Sequence, residues 1–225
     1  MERFFDFVFS SFALLILLPL LVAVIVILRF SGEGEVFFIQ HRIGKDGKVF
    51  KLFKFATMLK DSPNIGTGTV TMREDPRVLP VGKFLRKTKI NELPQLLNIF
   101  LGDMSVIGPR PLTAQTFESY SLNTQKIIKR VRPGLSGIGS IIFRGEEEIM
   151  HGSLASIDFY SGVIAPYKGA LEEWFVKNRG LYIYFIAIFI TVWTVLIPTT
   201  NISWKVFKNL PEPPLELKKA LNYPH

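Results

Sequence analysis

A chain of 225 residues with a formal charge of +8 has room for one catalytic unit plus membrane-embedded elements, but not for two large enzymatic domains. The complete absence of cysteine excludes a disulfide framework and thiolate metal ligation. The basic balance favours anionic partners, but no helix-turn-helix, zinc-finger or RNA-binding aromatic pattern accompanies it. Nucleic acid is therefore set aside, leaving phosphorylated metabolites and an anionic phospholipid bilayer.

In chain order, the first element is an apolar run from Val8 to Leu28 that carries no charge and is long enough to cross hydrocarbon. A cleaved signal peptide fits poorly, because the run is too long and no small-residue cleavage site follows Leu28. Pro19 removes a backbone donor inside it, so residues 1–30 are expected to be an anchor that either spans with a kink or re-enters as two half-helices. Arg29, Arg42, Lys45, Lys48, Lys51 and Lys54 follow, and the positive-inside rule places residues 31–180 in the cytoplasm as the catalytic region. These lysines read as leaflet contacts and solvated faces.

The runs Val36–Gln40 and Val49–Phe55, separated by Lys45-Asp46-Gly47-Lys48, predict a β-hairpin. Asp61–Thr69, with Pro63, Gly66 and Gly68, predicts a loop. A second apolar block, Leu181–Pro198, opens a C-terminal region of residues 181–225 and is expected to lie in or dip into the membrane interface. A full second span would carry Lys205, Lys208, Lys218 and Lys219 across, against the charge rule. Pro211, Pro213 and Pro214 predict an extended surface tail. The fold class is thus α+β, mainly helical, with an N-terminal re-entrant membrane helix, a small hairpin and amphipathic interfacial helices.

The chemistry is concentrated between Asp75 and Pro111. Leu93, Leu96, Leu97, Phe100 and Leu101 recur at helical spacing and predict a helix over Glu92–Leu101, with Pro94 in its first turn and its start near Asn91. A helix start there presents free N–H groups beside Arg86, Lys87 and Lys89, which would receive a phosphate. Gly108-Pro109-Arg110-Pro111 is a stiff turn that would hold the Arg110 guanidinium as a phosphate clamp. Glu92 and Asp103 are carboxylates of the kind Mg²⁺ takes together with substrate phosphates.

The ordered motifs KFATM (Lys54–Met58), DPRV (Asp75–Val78), NELPQL (Asn91–Leu96), GDMSVIGPRP (Gly102–Pro111) and VRPGLSG (Val131–Gly137) resemble the bacterial sugar transferases, the monotopic polyprenyl-phosphate phosphoglycosyl transferases. The likeness extends from the anchor to about Gly145. It implies a re-entrant helix, a catalytic domain on the inner leaflet, and transfer of a sugar 1-phosphate from a UDP-sugar to polyprenyl (undecaprenyl) phosphate with Mg²⁺, releasing UMP. It also implies that Glu92 holds the metal and that Arg86 and Arg110 meet phosphates, with Arg132 a further basic candidate.

The chain departs from the family at Asn91, where the family's nucleophilic aspartate would stand, and at Ala56, where arginine is common. An amide cannot supply the carboxylate oxygen that covalent catalysis by this route needs. Three routes stay open: attack by Glu92, direct attack by polyprenyl phosphate, or a chain that binds the substrates without turnover. Beside these stand plainer readings: Asn91 as a helix cap, Glu92 as a solvated first-turn acid, Asp103 as a turn residue and Arg110 as a loop salt bridge. A membrane-anchored interaction protein is a further alternative. His41, His151 and His225 are too scattered to bind a metal, and neither the sugar nor the oligomeric state can be read from the sequence.

Overall fold

The computed structural model describes residues 1–64, 75–144, 159–197 and 202–224. Residues 65–69 of the expected loop, and His151 and His225, lie outside this set. The chain is mainly helical, with two small two-stranded sheets.

Helix α1, Glu2–Arg29, is a single helical run that passes through Pro19. Among the described residues it is the one helix long and apolar enough to cross a membrane, with a mean hydropathy of 3.1 over its most apolar stretch. Phe12, Leu15, Ile16 and Leu18 are all exposed on it, a surface that water alone would not favour.

A hairpin of β1, Phe37–Ile43, and β2, Val49–Phe55, follows. Its turn is closed by the Gly44 N–H donating to the Lys48 carbonyl at 2.7 Å. Asp46 and Gly47 both take positive φ, 57° and 76°, which is the backbone conformation that Asp and Gly tolerate best.

The described chain forms two compact units: Asp6–His41 with Lys51–Gly102, and Met1–Phe5 with Arg42–Phe50 and Asp103–His225. In the first unit, Val24 and Leu28 of α1 are buried with Phe55 of β2 and Leu85 of α2, Pro80–Lys87, and Leu21, Ile25, Val36, Val81 and Ile90 pack around them. Each fully buried side chain of this kind contributes about 1.5–3 kcal/mol.

Helix α3, Gln95–Leu101, is fastened to β2 by one side chain. Asn98 is fully buried, accepts from the Phe53 N–H at 3.0 Å and donates to the Lys51 carbonyl at 2.7 Å. Two of the sequence motifs meet in this unit. Met58 and Val78 form an antiparallel bridge, and a Cβ on Gly82 would lie 2.1 Å from the Thr57 carbonyl oxygen, so α2 can approach that strand end only as glycine. Asp75 receives both Nε and Nη2 of Arg77, at 2.8 and 2.6 Å, and Arg77 Nη1 donates to the Ser62 carbonyl.

The second unit is built on a parallel pair, β3 (Ser105–Ile107) with β4 (Gly134–Ser136). Three short helices lie along this stretch of chain: α4, Ala114–Glu118, α5, Leu122–Ile128, and α6, Ile138–Ile142. Thr113 and Ser121 cap α4 and α5 by accepting from Thr116 N–H and Thr124 N–H.

The core joins Ile138 and Ile141 of α6, Leu171 and Phe175 of α7 (Ala165–Asn178), and Tyr184, Ala187 and Ile190 of α8 (Leu181–Leu196). Helix α8 buries that face and exposes Tyr182, Phe189, Val192 and Leu196 on the other. The tail is not the surface segment expected from its prolines. Short helices α9, Ile202–Val206, and α10, Leu215–Lys218, bring Phe207, Leu217 and Leu221 into the same core, and Tyr167 donates to the Pro211 carbonyl. Pro214 keeps the extended backbone expected of it, φ −51° and ψ 151°, while the apolar spacing of Leu217 and Leu221 draws the chain after it into the core.

Candidate active site

The chain around Asn91 does not begin a helix as expected. Lys89 takes a left-handed conformation, φ 60°, and starts a 3₁₀ turn over Ile90–Glu92; α3 begins only at Gln95, after Pro94. Bonds of the tighter kind bridge the gap, Leu96 N–H to Leu93 and Leu97 N–H to Pro94, each at 3.0 Å. A proline in this position has no N–H to donate, so the helical ladder starts beyond it.

Asn91 is therefore not a cap. It is buried, and its Oδ1 has no hydrogen-bond partner among the described residues. A buried amide oxygen left unbonded costs free energy, on the order of 1–3 kcal/mol, and such groups concentrate at functional sites.

Glu92 is not a freely solvated acid either. Its Oε1 lies 3.2 Å from Nζ of Lys54, and both side chains are largely withdrawn from solvent. This corrects the reading of Lys54 as a leaflet contact: on β2 it points at the carboxylate of the motif turn. Arg86, on the last turn of α2, is half-buried and directs Nη1 to Met58 Sδ at 3.8 Å. No carboxylate pairs with Arg86 among the described residues. Asn91, Glu92, Lys54 and Arg86 thus share the first unit.

Arg110, Arg132 and Asp103 belong to the second unit. The two glycine-bearing motifs account for each other there. Gly134 N–H donates to the Pro109 carbonyl at 2.8 Å and Gly108 N–H to Ser136 at 2.9 Å. A Cβ on Gly134 would sit 2.1 Å from Gly108 N, and one on Gly137 would sit 2.0 Å from Gly108 O. The parallel pair forms only because both chains lack side chains where they touch.

Arg110 leaves this pair with its side chain exposed, and no acid forms an ion pair with it among the described residues. It borders a cavity of about 20 Å³ with Pro109, Leu112 and Lys129, room for one water and not a phosphate. An anion would have to meet the guanidinium on its open side. Arg132 is half-buried just before β4, and Asp103 follows Gly102, which caps α3 at φ 98°.

One polar group here was not singled out from sequence. Glu172, on α7, is buried and accepts from the Arg110 N–H at 3.3 Å through Oε1, while Oε2 has no hydrogen-bond partner among the described residues. Burial pushes its carboxyl up from 4.5 to about 7, against the opposing pull of the Arg110 N–H, Lys168 and the Arg110 charge. The available signal was helical spacing: Glu172 lies four residues after Lys168 and three before Phe175, on an otherwise apolar face.

Residues 1–198 match the bacterial sugar transferase family model. Over 171 residues the chain is 36% identical to the exopolysaccharide production protein ExoY of Rhizobium meliloti, covering 70% of this chain and 74% of that protein. It is 35% identical over 162 residues to the UDP-glucose:undecaprenyl-phosphate glucose-1-phosphate transferase of Escherichia coli, covering 71% of this chain and 35% of that protein. The undecaprenyl-phosphate glucose phosphotransferase of Komagataeibacter xylinus is 37% identical over 145 residues, 62% of this chain and 27% of its own length. The chain belongs to the bacterial sugar transferase family.

Proposed function

We propose that this chain moves a sugar 1-phosphate from a UDP-sugar to a polyprenyl phosphate at the cytoplasmic face of the membrane, releasing UMP, as a first membrane step in surface glycan assembly. The observation that carries this reading is the motif turn itself. A carboxylate, Glu92, is held by Lys54 beside a buried amide oxygen with no partner, in a unit that also contains the apolar helix α1. The donor and acceptor classes come from the names of the Escherichia coli and Komagataeibacter xylinus relatives.

In this reaction a polyprenyl phosphate oxygen attacks the β-phosphorus of the UDP-sugar. The bond from that phosphorus to the bridging oxygen breaks, and UMP departs with the bridging oxygen and its electron pair. Asn91 offers no carboxylate oxygen, and Glu92 is engaged by Lys54, so direct attack by the acceptor is the form this site supports best. Arg86, in the same unit as the motif turn, neutralises phosphate charge there, and Arg110 and Arg132 are phosphate-binding candidates of the second unit.

Magnesium fits the donor chemistry of the motif turn, where the Glu92 carboxylate and Asn91 Oδ1 are hard oxygens; Asp103 is a carboxylate of the second unit. When bound, the ion supplies charge neutralisation to the diphosphate.

A second reading is favoured by one observation, the amide at position 91: a chain that binds both substrates without turning them over. Purified protein incubated with polyprenyl phosphate, Mg²⁺ and a panel of UDP-sugars should release UMP with at least one donor. Silence with every donor, followed by release from the Asn91→Asp variant, would establish the binding-only reading. A cysteine placed at position 2 should be labelled only from the cytoplasm if α1 re-enters the leaflet.

A further inference from the structure

Glu172 is a group the reaction above does not use. It is a fully buried carboxylate one helix away from any motif, yet it contacts the backbone of the one motif residue whose guanidinium stands open to solvent. Its seat is shaped for it. A Cβ on Gly139 of α6 would fall 2.5 Å from Glu172 Oε1, so the absence of a side chain there makes room for this oxygen. The Arg110 N–H approaches the same oxygen from the turn after β3, while Oε2 has no hydrogen-bond partner among the described residues.

The charged groups acting on it are Lys168, from its own helix, and Arg110, from the turn. The Lys168 ammonium is itself set over the rings of Phe143 and Tyr160, at 5.1 and 5.8 Å from their centres. Burying a carboxylate with one long bond, 3.3 Å, and one oxygen without a partner among the described residues is unfavourable for stability.

We infer that Glu172 is a positioning residue for Arg110: its ionised carboxylate grips the Arg110 N–H and fixes the Gly-Pro-Arg-Pro turn, so phosphate binding at Arg110 depends on the charge of a side chain that never meets the substrate. The phosphate part of this inference rests on the reading of Arg110 given above. A hydrogen bond to a charged acceptor is stronger than one to a neutral acid. Protonating Glu172 weakens the grip without emptying the cavity, and glutamine at this position reproduces the protonated form in shape and charge.

The test uses the full chain in detergent micelles with [¹⁵N]arginine labelling. The Arg110 amide resonance is expected to titrate between pH 5.5 and 8.5 with its midpoint near 7, and the inflection is expected to vanish in Glu172→Gln while other arginine amides keep their positions. UDP-glucose serves as the binding probe because its diphosphate diester keeps its charge over this range. Its affinity is expected to be three- to tenfold weaker at pH 5.5 than at pH 8.5 in the wild type, flat in Glu172→Gln, and partly pH-dependent again in Glu172→Asp.

An Arg110 amide that does not titrate, or that titrates equally in Glu172→Gln, overturns the positioning role. A flat UDP-glucose affinity over a titrating Arg110 amide overturns the link to phosphate binding. Complete absence of UDP-glucose binding with the titration intact counts against the proposed donor and supports the Glu172–Arg110 contact.

Discussion

Asn91 and Asn98 occupy the same short stretch of chain, and both are buried, but they are treated in opposite ways. Asn98 is fully buried with its oxygen and its nitrogen each bonded to the backbone of β2; Asn91 is buried with its oxygen bonded to nothing. The first is a structural amide, whose value lies in two satisfied backbone groups. The second is left unsatisfied among the described residues, next in sequence to a carboxylate held by a lysine, and so carries no structural role of that kind. Burial by itself does not separate the two kinds of polar group; satisfaction does.

Asn98→Ala should cost the fold most. It orphans the Phe53 N–H and the Lys51 carbonyl together, and a loss of about 2–5 kcal/mol in unfolding free energy is expected by denaturant titration.

Next comes Glu172→Gln, another unsatisfied group. With burial raising the folded carboxyl to about 7, the folded state keeps its proton where the unfolded state has lost it, so wild-type stability falls as pH rises from the ordinary carboxylate range towards 7 and levels off above. Glutamine removes that dependence, and the variant should exceed the wild type by ~3 kcal/mol more at pH 8 than at pH 4. Equal pH dependence of the two melting curves would place Glu172 with Asn98 as a structural group.

Lys54→Met should change stability by less than about 1 kcal/mol, as expected for a partly exposed ion pair, while lowering UMP release at least tenfold. Smallest in stability is Asn91→Leu: removing an unbonded polar atom is expected to be neutral or to gain up to about 1 kcal/mol, with UMP release abolished.

Much of the local structure was legible from sequence because its causes are local. The second hairpin strand, Val49–Phe55, falls where its apolar run predicts, since Asp46 and Gly47 can take the positive φ the turn requires. The apolar helix was equally plain from Val8–Leu28. The motif turn was not, because its geometry depends on Lys89 in a left-handed conformation that lysine seldom adopts, and the periodicity of Leu93, Leu96 and Leu97 runs straight across the break.

The pairing of β3 with β4 escaped notice for a different reason. Each strand has only three residues, and the signal lay in the mutual fit of Gly108 and Gly134, which no spacing rule joins. Of the site residues, Glu92 and Arg110 could be singled out through their motifs, whereas the role of Lys54 emerged only when β2 brought it to Glu92, and Glu172 only through a backbone contact to Arg110.

Ile90, the residue before Asn91, packs with Val24 and Leu28 at the end of α1. No linker separates the apolar helix from the motif turn; one shared cluster of side chains joins them. In a bilayer this makes the cluster a depth gauge. Were α1 inserted in hydrocarbon, the depth of Asn91 would follow how far α1 sinks, and one helical turn of α1 is about 5.4 Å along its axis. On the proposed reading, any change in the depth of α1 would reach Ile90, and through it Asn91, by way of this same small cluster of apolar side chains.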